Sequence, residues 1–136
     1  MANTNTGIIN YNEVVWVDVN TNLGEDTDPE LVVDIAAINN SLYNLLSCIP
    51  GSRPFQRDYG SDLFGALFEP TDSQAADFLD LTLFQAIRRW EPRINMDLNR
   101  SSIVPLEDGA GFTVSIAYTI LATKITANYQ FTIRRI

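Results

Sequence analysis

The sequence contains no histidine and a single cysteine, Cys48. Without histidine, the commonest general base and metal ligand is missing. One cysteine excludes an internal disulfide, and a zinc site would have to be built mostly from carboxylates. No acid pair falls in a metal-loop pattern, so neither a metal nor a cofactor is expected. The glycines mark turns, and no glycine-rich phosphate loop follows a strand. A serine or cysteine nucleophile would lack its base, and Cys48, in LLSCIP at the apolar end of a helix, reads as a buried small hydrophobe. No apolar run approaches the roughly 18 residues of a membrane span. The opening MANTNTGIINYNE has neither the basic start nor the apolar block of a signal peptide, so no membrane association and an intracellular origin are expected.

Charge of one sign is missing from each end. Residues 1–52 hold seven acids and no base, whereas from Gly109 onward there are three bases and no acid. The net charge is −8. Nucleic acid is a poor partner for such a chain, because phosphate binding needs a concentrated basic face. The two poles serve either as solvated surface or as complementary faces in an assembly.

A length of 136 residues suits one domain with a real core. VVWVDV (14–19) alternates as a short strand, followed by an acidic loop to about residue 28. Thr27 and Glu30 have capping-box spacing and Pro29 suits a first turn. Leu31, Ile35, Ile38, Leu42, Leu45 and Leu46 recur at helical steps, which predicts a helix over 29–47. Residues 49–60, IPGSRPFQRDYG, hold two prolines and two glycines and form a fixed loop in which Phe55 plugs the core. Ser61 caps a short helix, SDLFGALF, with Leu63, Phe64, Leu67 and Phe68 inward. Thr71 and Gln74 open a long helix to Trp90. Its stripe is Ala76, Leu79, Leu83, Ile87 and Trp90, widened by Phe78, Leu81 and Phe84, so burial on more than one side is expected.

After Pro92 the period falls to two. INMDLNRSSIV (94–104) reads as one strand, and FTVSIAYTILAT (112–123) with ITANYQFTIRRI (125–136) as an antiparallel hairpin reversing near Lys124. The prediction is an α+β domain: two long helices and a short one on a mainly antiparallel sheet with a C-terminal β-meander. Its parts are residues 1–28, a helical stretch over 29–91, and the meander over 94–136. If the last strand lies at a sheet edge, its free backbone groups could accept a strand from another chain. Alternatively, Arg134 and Arg135 act as gatekeepers against such pairing.

One catalytic reading survives on residue types. Paired carboxylates among Asp58, Asp62 and Glu69 could perform glycoside hydrolysis on peptidoglycan. Seventeen acids in so short a chain also produce close pairs by chance.

Two stretches, PGSRPFQRDYGSDLFGALFEP (50–70) and RRWEPRI (88–94), with a long helix between them, resemble the small baseplate-wedge proteins of contractile phage tails. This is the sheath-initiator family, with counterparts in the type VI secretion baseplate and an old lysozyme label on some members. The resemblance runs from about Asp34 to Ile94; the first 30 residues match nothing in it. It implies a structural, non-enzymatic protein of the virion tail baseplate, made in the bacterial host cytoplasm and present in several copies around the tail axis. Its implied partners are the larger wedge subunits, the tail sheath protein and tube-proximal baseplate proteins. Glu91, Pro92 and Arg93 would then contact the helical core bundle of the larger wedge subunits. The strand with Ile125, Tyr129, Phe131, Ile133, Arg134 and Arg135 would face the sheath and template its first ring.

The residues themselves permit both docking and a local reading. Pro92 biases Glu91 toward extended geometry, and residues two apart in an extended segment point to one side. Glu91 and Arg93 thus offer an acceptor fork and a donor fork beside Trp90. Locally, Arg93 could satisfy the helix's last carbonyls and Glu91 could neutralise Arg57, Arg88 or Arg89. Gly51, Arg53, Pro54, Tyr59 and Gly60 form the fixed loop. There Arg53 either bridges internally to Glu69 or Glu91 or stands exposed at an interface.

Overall fold

The computed structural model describes residues 16–19, 31–66 and 73–134. Within them the elements are β1 (Val17–Val19), β2 (Leu31–Val33), α1 (Ile35–Ser47), α2 (Leu63–Ala66), α3 (Ser73–Trp90), β3 (Ile94–Met96), β4 (Ser102–Pro105), β5 (Gly111–Ile120) and β6 (Thr126–Arg134). The class is α+β, and every described strand pairing is antiparallel. The chain divides into two compact units, Met1–Asn40 and Ser41–Ile136, with α1 beginning in the first and continuing into the second.

In the first unit the expected helix starts six residues late. Leu31–Val33 pairs with Val17–Val19 instead, because the β-branched Val32–Val33 run fits a strand once a partner strand is present. Asp34 makes the switch at φ +48°. Its N–H donates to the Trp16 carbonyl at 2.9 Å, its carboxylate accepts the Trp16 N–H at 3.2 Å, and its carbonyl accepts the Ile38 N–H. Asn40 donates from Nδ2 to the Asp18 carboxylate and the Val19 carbonyl, tying helix to strand. The expected cap at Thr27, Asp28, Pro29 and Glu30 lies outside the described residues.

The second unit is organised by β5. Its Phe112, Val114, Ile116, Tyr118 and Ile120 are buried, alternating with half-buried Thr113, Ser115 and Thr119. On one side β5 pairs with β6 in the register Phe112↔Ile133, Val114↔Phe131, Ile116↔Tyr129. On its other side β3 and β4 follow one another end to end, opposite Tyr118–Ile120 and Phe112–Ser115 respectively. The single strand expected over 94–104 is therefore interrupted. Asp97 turns the chain by accepting N–H groups from Asn99, Arg100 and Ser101, and Leu98 is left exposed. Leu121–Thr123 form the reversal between β5 and β6, followed by Lys124 at φ +59°.

Helix α3 supplies Leu79, Leu83 and Ile87 to the core, beside Leu42, Leu45, Leu46 and Leu63. Each such fully buried side chain contributes about 1.5–3 kcal/mol relative to exposure. Phe78 (63% exposed) and Leu81 (56%) depart from the expected burial of α3 on more than one side. At helical spacing they lie opposite the Leu79–Leu83–Ile87 stripe. Cys48 is half-buried rather than buried, with Sγ near the Ser52 hydroxyl. Ser61 does not cap α2; its hydroxyl donates to the Leu46 carbonyl and its N–H to the Cys48 carbonyl. The inward packing expected of Phe64, Leu67 and Phe68, and the cap at Thr71, lie outside what is described.

Candidate docking surfaces

Helix α3 ends at Trp90 with Arg88 and Arg89 in its last turn, where cations suit the carbonyl end of the helix. The Glu91 N–H closes the last helical bond to the Ile87 carbonyl at 2.8 Å, and Pro92, which has no N–H, stops the helix. The chain continues extended, and the Arg93 carbonyl accepts the Leu121 N–H at 3.0 Å.

This path sends Glu91 inward. It is 2% exposed and holds three hydrogen bonds: Arg93 Nε to Oε1 at 2.5 Å, Arg93 Nη2 to Oε2 at 2.7 Å, and the Ser41 hydroxyl to Oε2 at 2.5 Å. The two-residue spacing does place both side chains on one side. Their forks close on each other, however, as a bidentate pair whose arginine is 27% exposed. Neither Arg57, Arg88 nor Arg89 is the cation of Glu91. Below the pair lies Tyr118, fully buried, whose phenol pKa is pushed up to about 12 by burial and by the Glu91 charge. Ser41 was invisible to sequence reasoning. It sits fifty residues from Glu91, and its one signal is a polar residue next to the buried Ile38–Leu42–Leu45 stripe. What the turn presents outward is Pro92, at the mouth of a groove lined also by Phe84, Arg88, Ile94 and Asn95.

The loop over 49–60 is braced against this turn. The Tyr59 ring meets Trp90 edge-on, with centroids 5.3 Å apart. Arg53 lies over Tyr59 at 4.1 Å, and Arg89 lies over Trp90 at 4.8 Å. Arg53 is exposed and makes no bridge to Glu91; Glu69 lies outside the described residues. Gly51 (φ +90°) donates its N–H to the Arg57 carbonyl at 2.7 Å, closing the loop beside exposed Pro54. Gly60 (φ +130°) is buried, and a Cβ there would stand 2.3 Å from the Cys48 carbonyl oxygen, so only glycine fits. Phe55 does not plug the core; it is fully exposed.

The third surface is β6. It pairs with β5 along one edge, and among the described residues its other edge has no strand partner. Tyr129 and Phe131, stacked with centroids 5.7 Å apart, are half-buried on the core side, and Ile133 is buried. Tyr129, Phe131 and Ile133 thus line the inner face, and what the strand leaves open among the described residues is its outer backbone edge. Beside it runs a groove of Tyr43, Leu46, Tyr129 and Phe131. Burial and the nearby Tyr43 raise the Tyr129 pKa. Ile125 is exposed in the approach to the strand, Arg134 bridges Asp108 at 3.5 Å on the surface, and Arg135 lies outside the described residues.

Residues 32–124 match the family model of baseplate wedge protein gp25. The chain belongs to the gp25 baseplate wedge family. It is 31% identical over 109 residues to baseplate wedge protein gp25 of Enterobacteria phage T4, covering 73% of this chain and 81% of that protein. It is also 30% identical over 70 residues to baseplate protein W of Escherichia phage P2, covering 52% of this chain and 61% of that one. Two solved structures share the fold. One is a Geobacter sulfurreducens protein carrying the name of a tail lysozyme (TM-score 0.65, 20% identity, 73% of this chain and 88% of that chain). The other is a chain of the post-contracted baseplate of pyocin R2 (TM-score 0.58, 17% identity, 88% and 99%).

Of the carboxylates named for a hydrolase, Asp58 and Asp62 are described in this gp25-family chain, and both are exposed. Asp58 is exposed and bridges Arg89 at 3.4 Å, and the Asp62 carboxylate folds over Gly65 at the start of α2. Glu69 lies outside the described residues. Among the described residues, no group of three or more potential ligands is placed to hold a metal ion.

Proposed function

We propose that this chain is a structural wedge component of a contractile-tail baseplate, assembled in several copies around the tail axis with larger wedge subunits. In this reading the outer edge of β6 accepts a strand of the sheath protein and templates the first sheath ring. The observation that carries it is the nine-residue edge of β6, unpaired among the described residues and flanked by the groove of Tyr43, Leu46, Tyr129 and Phe131. An added strand gains main-chain hydrogen bonds from such an edge and side-chain specificity from such a groove. The turn at Glu91-Pro92-Arg93 docks the helical bundle of the larger wedge subunits. Because Glu91 is buried, the turn works as a prebuilt shape: the internal pair fixes Pro92, and the bundle meets Pro92, Phe84, Arg88 and the outer side of Arg93. Family membership and the likeness of this chain to proteins named for tail baseplates support the reading.

The test is amide hydrogen exchange of the free protein and of purified sheathed tails that contain it. The expected result is fast exchange at the alternate, outward-pointing amides of residues 126–134 in the free protein, the others being bonded to β5, and at least tenfold slower exchange of those same amides in the tail. Unchanged exchange there in fully sheathed tails would remove the templating role.

A further inference from the structure

Phe55 breaks two rules at once. It is a bulky side chain at φ +67°, in the left-handed region that such residues rarely adopt. It is also 102% exposed, so no packing within the chain offsets that backbone. The loop that holds it is not loose. The Gly51 N–H to Arg57 carbonyl bond, the Tyr59 N–H to Gln56 carbonyl bond at 3.1 Å, and the Tyr59–Trp90 contact close it on both sides. Backbone strain that persists in a braced segment, with the side chain presented to solvent, points to use outside the chain.

The surroundings give the chemistry. Arg53 and Arg57 flank Phe55, both are exposed, and among the described residues neither has a carboxylate within ion-pair distance. The Arg89–Asp58 pair nearby is neutral as a unit, so the local positive charge is that of Arg53 and Arg57, on a chain of net charge −8. An exposed aromatic ringed by arginines is the composition enriched at the centres of protein interfaces. Two copies of so acidic a chain repel each other, which favours a different protein as partner.

We infer that Phe55 is an anchor that seats in an apolar pocket rimmed by carboxylates on a different baseplate protein, with Arg53 and Arg57 meeting that rim. This rests on the baseplate reading above, and the experiment separates the two. Tails are purified from cells co-producing equal amounts of wild-type chain and the Phe55→Asn variant, distinguished by mass. Asparagine tolerates the left-handed region, so the free variant should melt at or slightly above the wild-type temperature while its share in tails falls at least tenfold. Wild-type chain missing from the tails would remove the baseplate reading itself. Equal incorporation of the two chains, or a clearly lower melting temperature for the variant, would overturn the anchor alone. In a parallel preparation, p-benzoylphenylalanine at position 55 is photocrosslinked in assembled tails. A crosslink to a carboxylate-rich site on another baseplate protein is expected; a crosslink to a second copy of this chain, or none, contradicts the inference.

Discussion

Replacing Arg93 by alanine is the sharpest perturbation of the turn. Glu91 is 2% exposed and loses both hydrogen bonds to the guanidinium, keeping the contact from the Ser41 hydroxyl. Removing one partner of a buried ion pair costs about 3–5 kcal/mol, because the remaining charge stays buried without compensation. Arg93 is itself 27% exposed, so water enters the vacated space and the lower end, about 3 kcal/mol, is expected. At this chain length 1 kcal/mol corresponds to about 3–4 °C in melting temperature, which places the loss near 10 °C. Glu91→Gln keeps the shape and should cost about 1–2 kcal/mol. Changing both residues to methionine removes the stranded charge and should recover much of the Arg93→Ala loss, a strongly non-additive result. Urea unfolding followed by tryptophan fluorescence measures all of these. An Arg93→Ala protein within about 0.5 kcal/mol of wild type would refute the internal strut, and Glu91 would again be a group available to partners.

Three further outcomes follow from the same geometry. Ser41→Ala should cost about 1–2 kcal/mol in the same unfolding assay, less than Arg93→Ala, because it removes one hydrogen bond to a charge and leaves the cation in place. Gly60→Ala puts a Cβ 2.3 Å from the Cys48 carbonyl oxygen at φ +130°, so a loss of about 3 kcal/mol or more, read as melting temperature or soluble yield, is expected. Tyr118, with its pKa raised to about 12 by burial and Glu91, gives stability that is complete below the ordinary tyrosine range near 10 and is lost as pH rises through 12. Absorbance titration should therefore show a late phenolate that appears together with alkaline unfolding, and Tyr118→Phe should remove that phase.

The parts of the fold governed by local periodicity were legible in the sequence. The stripe Leu79–Leu83–Ile87 gave α3 and its end at Trp90, and the alternation over 112–120 and 126–133 gave the hairpin and its buried face. What failed depended on distant partners. Leu31–Val33 obeys a helical spacing as well as a strand pattern, and the pairing with Val17–Val19 decided between them. The residues of the turn were readable, but their state was not. Glu91 and Arg93 were correctly placed on one side, yet only the path of α1 brings Ser41 against Glu91 and buries the carboxylate. Phe55 was expected inside because it is aromatic; the closure from Gly51 to Arg57 turns it outward. On β6 the alternation gave the two faces and the sequence raised a free backbone edge, but whether that edge is paired depends on the order of strands in the sheet, which side-chain patterns do not report.

The measurement that bears most directly on the central claim is a cryo-EM map of an assembled tail containing this chain. The account predicts a sheath strand hydrogen-bonded along the outer edge of β6, with wedge-subunit helices against Pro92 and Phe84 while Glu91 stays paired to Arg93. A complete sheathed tail in which the β6 edge faces solvent would contradict it.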